Sequence, residues 1–125
     1  MAAALAVAIG GGIGALARWW MAAWVTRLLG AGFPWGTLAV NVLGGFLMGA
    51  IVQAATHVWP PSTPVRLFLT TGLMGGFTTF SAFSLEMADM LERGETMTAA
   101  GYAVASVVAC VGALTAGQWA VRTFG

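Results

Sequence analysis

Charge is what this sequence has least of. Asp, Glu, Lys and Arg make up 7% of its 125 residues, against about a quarter in an ordinary soluble domain. It has no lysine; the five basic residues are Arg18, Arg27, Arg66, Arg93 and Arg122. The four acids, Glu86, Asp89, Glu92 and Glu95, sit together in one short stretch. A net charge of +1 leaves no basic footprint for nucleic acid. The single cysteine, Cys110, excludes an intrachain disulfide and a thiolate metal cluster. One histidine, His57, cannot make a zinc site alone. Cys110 and His57 lie in different segments, so no nucleophile–base pair is present and an enzyme is not expected.

What the sequence does have is apolar length. Hydrophobic residues make up 59%, and a helix needs about 20 of them in a run to cross a bilayer. Four such runs are separated by turn signals, at approximately 3–29, 34–56, 65–93 and 96–122. The chain therefore reads as one all-α transmembrane domain, 1–125, of four helices. The apolar N-terminus lacks the basic region of a signal peptide. It also continues into Arg18-Trp19-Trp20, an interfacial anchor pattern. It is read as the first span.

Polar residues within the spans are few enough to weigh singly. Gly10, Gly11, Gly12 and Gly14 give helix one a wall of small residues suited to close packing. Arg18 has two readings: it faces protein or water, because a charge inside a span is costly, or it snorkels beside the tryptophans. Thr37, Asn41, Gly44, Gly45 and Met48 share one side of helix two. The Asn41 amide needs a partner in this setting. Either it hydrogen-bonds a neighbouring helix, worth about 1 kcal/mol, or it donates to a passing anion. Tyr102, Ser106 and Cys110 recur every four residues on helix four. They are either small packing groups or a polar track.

The third span is a poor helix at its centre. Gly75 and Gly76 are adjacent, and the β-branched hydroxyl residues Thr78 and Thr79 follow. In lipid a helix break survives only where the freed backbone finds partners, and such breaks build ion sites at membrane depth. A broken helix near Gly75–Thr79, in an ion pathway, is expected. Beyond it Phe80 and Phe83 share a face, Ser81 and Ser84 form the neighbouring stripe, and Glu86 ends the uncharged run. Asp89, Glu92, Arg93 and Glu95 mark the exit to water.

Orientation is nearly undecided. Four spans place both termini on one side, with Arg66 and Arg122; Arg27 and Arg93 lie on the other, with Arg18 on that half of its helix. Positive residues in short loops normally set orientation. A chain balanced in this way can insert both ways and pair antiparallel.

Three motifs carry a resemblance to a known family. They are Gly14-Ala-Leu-Ala-Arg18 with Trp19; Pro34-Trp35-Gly36-Thr37-Leu38 leading to Asn41-Val-Leu-Gly44; and the long stretch Gly72 to Glu86. Gly101-Tyr102 and Ser106 also fit. The chain resembles the Fluc (CrcB) fluoride channels over essentially its whole length. The resemblance implies an antiparallel dual-topology homodimer with two fluoride pores in a bacterial inner membrane, letting cytoplasmic fluoride leave passively. It implies that Asn41 donates to fluoride and that Phe80 and Phe83 form a phenylalanine box. Thr79, Ser81, Ser84, Tyr102 and Ser106 would continue the pore lining. The carbonyls of Gly75 and Thr78 would hold a structural sodium ion at the dimer centre, with Arg18 and Glu86 in a vestibule or structural role. Cys110 departs from the family's usual hydroxyl, and a thiol is a weaker donor.

The chemistry is consistent with that expectation. Fluoride is small and strongly hydrated, so a path must replace its water with donors yet release it. Neutral Asn, Ser, Thr and Tyr groups do this without a fixed charge, and an aromatic edge is electropositive. Two other functions compete with this one. A small multidrug-type proton-coupled exporter needs an acid in its first helix, and helices one and two contain none. A membrane scaffold subunit would leave the Phe-Thr-Thr-Phe-Ser-Ala-Phe-Ser pattern unexplained.

Overall fold

A computed structural model describes all 125 residues. Helix α1 is Ala2–Leu29, α2 is Trp35–His57, and the last helix, α5, is Thr96–Phe124. All three are long and apolar enough to cross a membrane. Between α2 and α5 the chain makes its remaining crossing in two pieces. Residues 63–77 form α3, which runs through Thr63–Leu67, Phe68–Met74 and Gly75–Phe77. Phe80–Glu92 forms α4. The protein is thus a multi-pass, all-helical membrane protein with four helices, the third one broken, as its sequence predicts.

The ends of the helices follow from local chemistry. Gly30 takes φ +89° and returns its amide to the Thr26 carbonyl, which closes α1. That left-handed conformation suits glycine. Gly94, at φ +77°, makes the turn from α4 to α5. Pro34 stands just before α2, where its missing N–H costs nothing.

The glycines carry the packing. Lipid supplies no hydrophobic drive between helices, so association depends on close backbone approach. A Cβ on Gly10 would stand 2.6 Å from the Phe68 carbonyl oxygen, and one on Gly14 would collide with that of Leu73. Gly76 answers from α3, where a Cβ would strike the Gly11 carbonyl. The second seam joins α2 to α5: Gly49 lies on the Leu114 carbonyl and Gly117 on that of Phe46. Gly36 against Ala22 links α2 to α1. Helix α4 leans on α5 through Met90, Ala99 and Tyr102, with Phe33, Leu38, Phe83 and Met87 packed around them.

The site of the break differs in detail from expectation. Gly75 and Gly76 stay helical, because close contact with α1 fixes Gly76. The chain opens at Thr78 (φ −90°, ψ 160°) and Thr79 (φ −151°, ψ 121°). The threonine hydroxyls explain why. That of Thr78 donates to the Met74 carbonyl at 3.0 Å, and that of Thr79 accepts from the Ala82 amide at 3.1 Å and caps α4. Just before the break, Phe68–Met74 is wound as a π-helix, a rare form that collects at functional sites. Nothing in the local sequence announces it.

Only 18 of the 125 residues are buried. Large apolar side chains such as Ile9, Trp20, Val108 and Val111 are exposed, as they must be in a chain whose solvent is lipid.

Candidate functional site

The break leaves backbone groups that a continuous helix would have paired. The Thr79 amide, which would otherwise close on the Gly75 carbonyl, donates to Asn41 Oδ1 at 2.8 Å. Asn41 Nδ2 in turn donates to the Thr79 carbonyl at 3.0 Å. This pairing fixes which way the amide points, since the flipped form would face donor to donor. Arg18 Nε donates to the Gly76 carbonyl at 3.1 Å. Arg18 is half-buried and turns its Nε into the protein. The Thr78 carbonyl accepts no backbone amide.

A second knot lies further along α4. Glu86, half-buried, accepts from the Thr37 hydroxyl at 2.8 Å and the Tyr102 hydroxyl at 2.9 Å. Tyr102 is fully buried. Its ring contacts Phe83 at 4.9 Å between centroids and meets Phe33 edge-on at 5.2 Å. Phe80 and Phe83 lie 5.4 Å apart, yet Phe80 is 78% exposed on the single chain.

Two cavities flank the break. One, of about 360 Å3, is a groove lined by Asn41, Thr79, Phe80, Phe83, Ser106 and Cys110, among others. The other, of about 590 Å3, holds Arg18, Thr37, Thr79 and Glu86. Thr79 lines both. The groove contains no ionised side chain. Asn41 has a second N–H beyond the one given to Thr79. The Ser106 hydroxyl has no partner within the chain and keeps contact with open space. The groove can therefore offer neutral donors and aromatic edges to a small anion without a charge that would trap it.

The structure thus brings Asn41, Thr79, Phe80, Phe83 and Ser106 to one groove, with Tyr102 behind Phe83. Ser81 and Ser84 do not line it. Ser81 Oγ lies 3.4 Å from Thr79 Oγ1, Ser84 donates to the Phe80 carbonyl at 2.9 Å, and both residues are exposed. Thr78 is the first residue of the opening, and Gly75 lies three residues before it. No group of His, Cys, Asp and Glu side chains is placed to hold a metal, so any cation there would rest on carbonyls. Sequence reading misses Thr37 as the partner of Glu86, because their pairing spans 49 residues and leaves no local mark. Its one trace is that Thr37 precedes Asn41 by one helical turn. It also passes over Gln53, the other amide of α2.

Comparisons with known proteins agree with the motifs. A family model described as CrcB-like protein, Camphor Resistance (CrcB), matches residues 5–118. The fluoride-specific ion channel FluC of Rhodospirillum centenum is 48% identical over 119 residues, covering 95% of this chain and 94% of its own. That of Rhizobium leguminosarum bv. trifolii is 48% identical over 122 residues, 98% of each chain. That of Agrobacterium fabrum is 48% identical over 111 residues, 89% of each chain.

Proposed function

The chain belongs to the CrcB-like family, and on that premise we propose that it is a fluoride channel, a passive conduit and not an enzyme, in a bacterial inner membrane. The observation that carries this reading is the groove beside the break: neutral donors from Asn41 and Ser106 face the rings of Phe80 and Phe83 with no fixed charge between them. An anion entering it would give up water for the free Asn41 N–H and the Ser106 hydroxyl. Aromatic edges would bound its path and hinder larger halides. Thr79 joins the groove to the Arg18 cavity, which would serve as a vestibule that draws anions in. Arg18 itself stays outside the narrow part. Glu86, held by Thr37 and Tyr102, would keep the Tyr102 ring set behind Phe83. Ser81 and Ser84 would line the path only with a partner laid against them.

The single chain leaves Phe80 and one side of the groove open. A second, antiparallel copy would close it and give two pores per homodimer. The near-even arginine distribution supports insertion in both orientations. At the centre of that dimer a structural sodium ion would rest on the Gly75 and Thr78 carbonyls. The residues fit it: the amide that would have met the Gly75 carbonyl is turned to Asn41, and the Thr78 carbonyl takes no backbone amide. Carbonyl oxygens are hard ligands suited to such a cation. Its role would be to hold the halves together and offset repulsion between anions.

Anion efflux from liposomes holding the purified protein tests the reading. Fluoride release without chloride release is expected; equal leak of both, or no fluoride flux, overturns it. Phe80→Ile should slow fluoride release by at least about tenfold, the equivalent of about 1.4 kcal/mol on the barrier, and unchanged flux would remove the box from the path. Exhaustive sodium removal should weaken dimerisation and flux together, and no change in either would refute the carbonyl site.

A further inference from the structure

Far from the groove, α2 carries a second amide. Gln53 lies one turn before the end of α2 and is only 9% exposed. It takes part in none of the chain's side-chain hydrogen bonds. Its polar atoms are not sealed from open space, and the residue lines a pocket of about 410 Å3 between the ends of α2 and α5. His57, Val58, Val121, Arg122 and Gly125 complete the walls. With no partner inside the chain and access to the pocket, its donors and acceptor are available to a ligand.

The donors identify its chemistry. Arg122 offers guanidinium N–H groups, Gln53 an NH2 and His57 a ring N–H. Arg122 makes no ion pair, for the chain's only one joins Arg93 to Glu95. No acidic side chain lines the pocket. Three donor-bearing side chains on one pocket, one of them permanently charged, suit a tetrahedral oxyanion such as a phosphate. The depth identifies its source. The pocket lies at the last turns of two spans, with Trp59 and Trp119 exposed nearby at 56% and 60%. Tryptophans mark the headgroup level, and basic pockets between transmembrane helices at that level take phospholipid headgroups. Val58 and Val121 add apolar wall for the adjoining glycerol and chains. Free inorganic phosphate shares the chemistry but would gain nothing from those walls.

We infer that the Gln53–His57–Arg122 pocket binds the phosphate of an anionic phospholipid. The site is separate from the conduction pathway, and its test does not depend on flux. The purified full chain is mixed with phosphatidylglycerol or phosphatidylcholine in detergent, and bound lipid is read by native mass spectrometry. Wild type should retain phosphatidylglycerol over phosphatidylcholine. Arg122→Gln and Gln53→Leu should each lower that retention by about tenfold, the worth of one charge-assisted contact. Arg122→Lys should restore part of it. Thermal melting of each variant verifies that it is folded, and the lysine variant keeps the test open should Gln53→Leu fail to fold. Equal phosphatidylglycerol retention by wild type and Arg122→Gln overturns the proposal. So does millimolar inorganic phosphate raising the melting temperature of wild type but not Arg122→Gln while neither lipid is preferred, which would assign the pocket to a soluble anion.

Discussion

Asn41 has two N–H donors and a carbonyl, and the break claims one of each. The helix-bonding role and the anion-donating role are therefore compatible, because the second N–H is still available to the groove. Asn41→Asp keeps the acceptor for the Thr79 amide but removes both N–H donors. Its carboxylate would face the Thr79 carbonyl with lone pairs and present a charge to the incoming anion. Fluoride flux should fall by roughly ten- to a hundredfold, since a donor to an ion is worth about 1.5–3 kcal/mol. Liposome efflux beside a melting curve would separate lost conduction from lost folding. Cys110 offers a gentler probe. It is half-buried on the groove wall, so a small cationic thiol reagent should slow efflux in wild type and leave Cys110→Ser untouched. Wild-type efflux unchanged by the reagent would place the thiol away from the path. Tyr102→Phe should melt lower by about 1–3 kcal/mol, because it strips Glu86 of one of two hydroxyl partners in the membrane.

At the scale of helices, the glycines divide into those that touch and those that do not. A Cβ at Gly117 would run into the Phe46 carbonyl, whereas one at Gly112 meets nothing within 4 Å. Gly117→Ala should therefore destabilise the α2–α5 seam by about 1–3 kcal/mol, and Gly112→Ala should be neutral or slightly stabilising through helix propensity. Equal melting of the two would contradict the packing. Thr79→Val removes the hydroxyl that caps α4 and should cost about 0.5–2 kcal/mol. The same scale shows what a sequence can and cannot announce. The broken third helix was legible because glycine and threonine pairs are improbable at the centre of a span. The exact opening was not, because Gly76 is kept helical by its close approach to α1, a tertiary contact that leaves the break to Thr78 and Thr79. The same holds for Thr37 with Glu86: each residue is visible, while their meeting depends on how α2 and α4 cross.

At the scale of the molecule, the even spread of arginines is the feature with most reach. Adding charge to one side should break it. Ser62→Arg with Thr123→Arg places two more positives on the side of Arg66 and Arg122. The chain should then insert mostly one way, and if an antiparallel pair conducts, flux per milligram should fall with the minority orientation. Protease accessibility of a terminal tag in right-side-out and inverted vesicles reads the first effect, and efflux reads the second. Orientation shifting with no loss of flux would refute the antiparallel pair.

Beyond its own threonine caps, the opening at Thr78 and Thr79 draws its partners from elsewhere: from Asn41 on α2 and, through Gly76, from Arg18 on α1. Both donors precede it in the chain, so both can already be in the bilayer when the third segment leaves the ribosome. A chain permuted to begin at that segment would have to carry bare carbonyls and amides into hydrocarbon before any partner arrived. The order of the helices is in this sense a synthesis schedule, with the defect delivered only after its remedy.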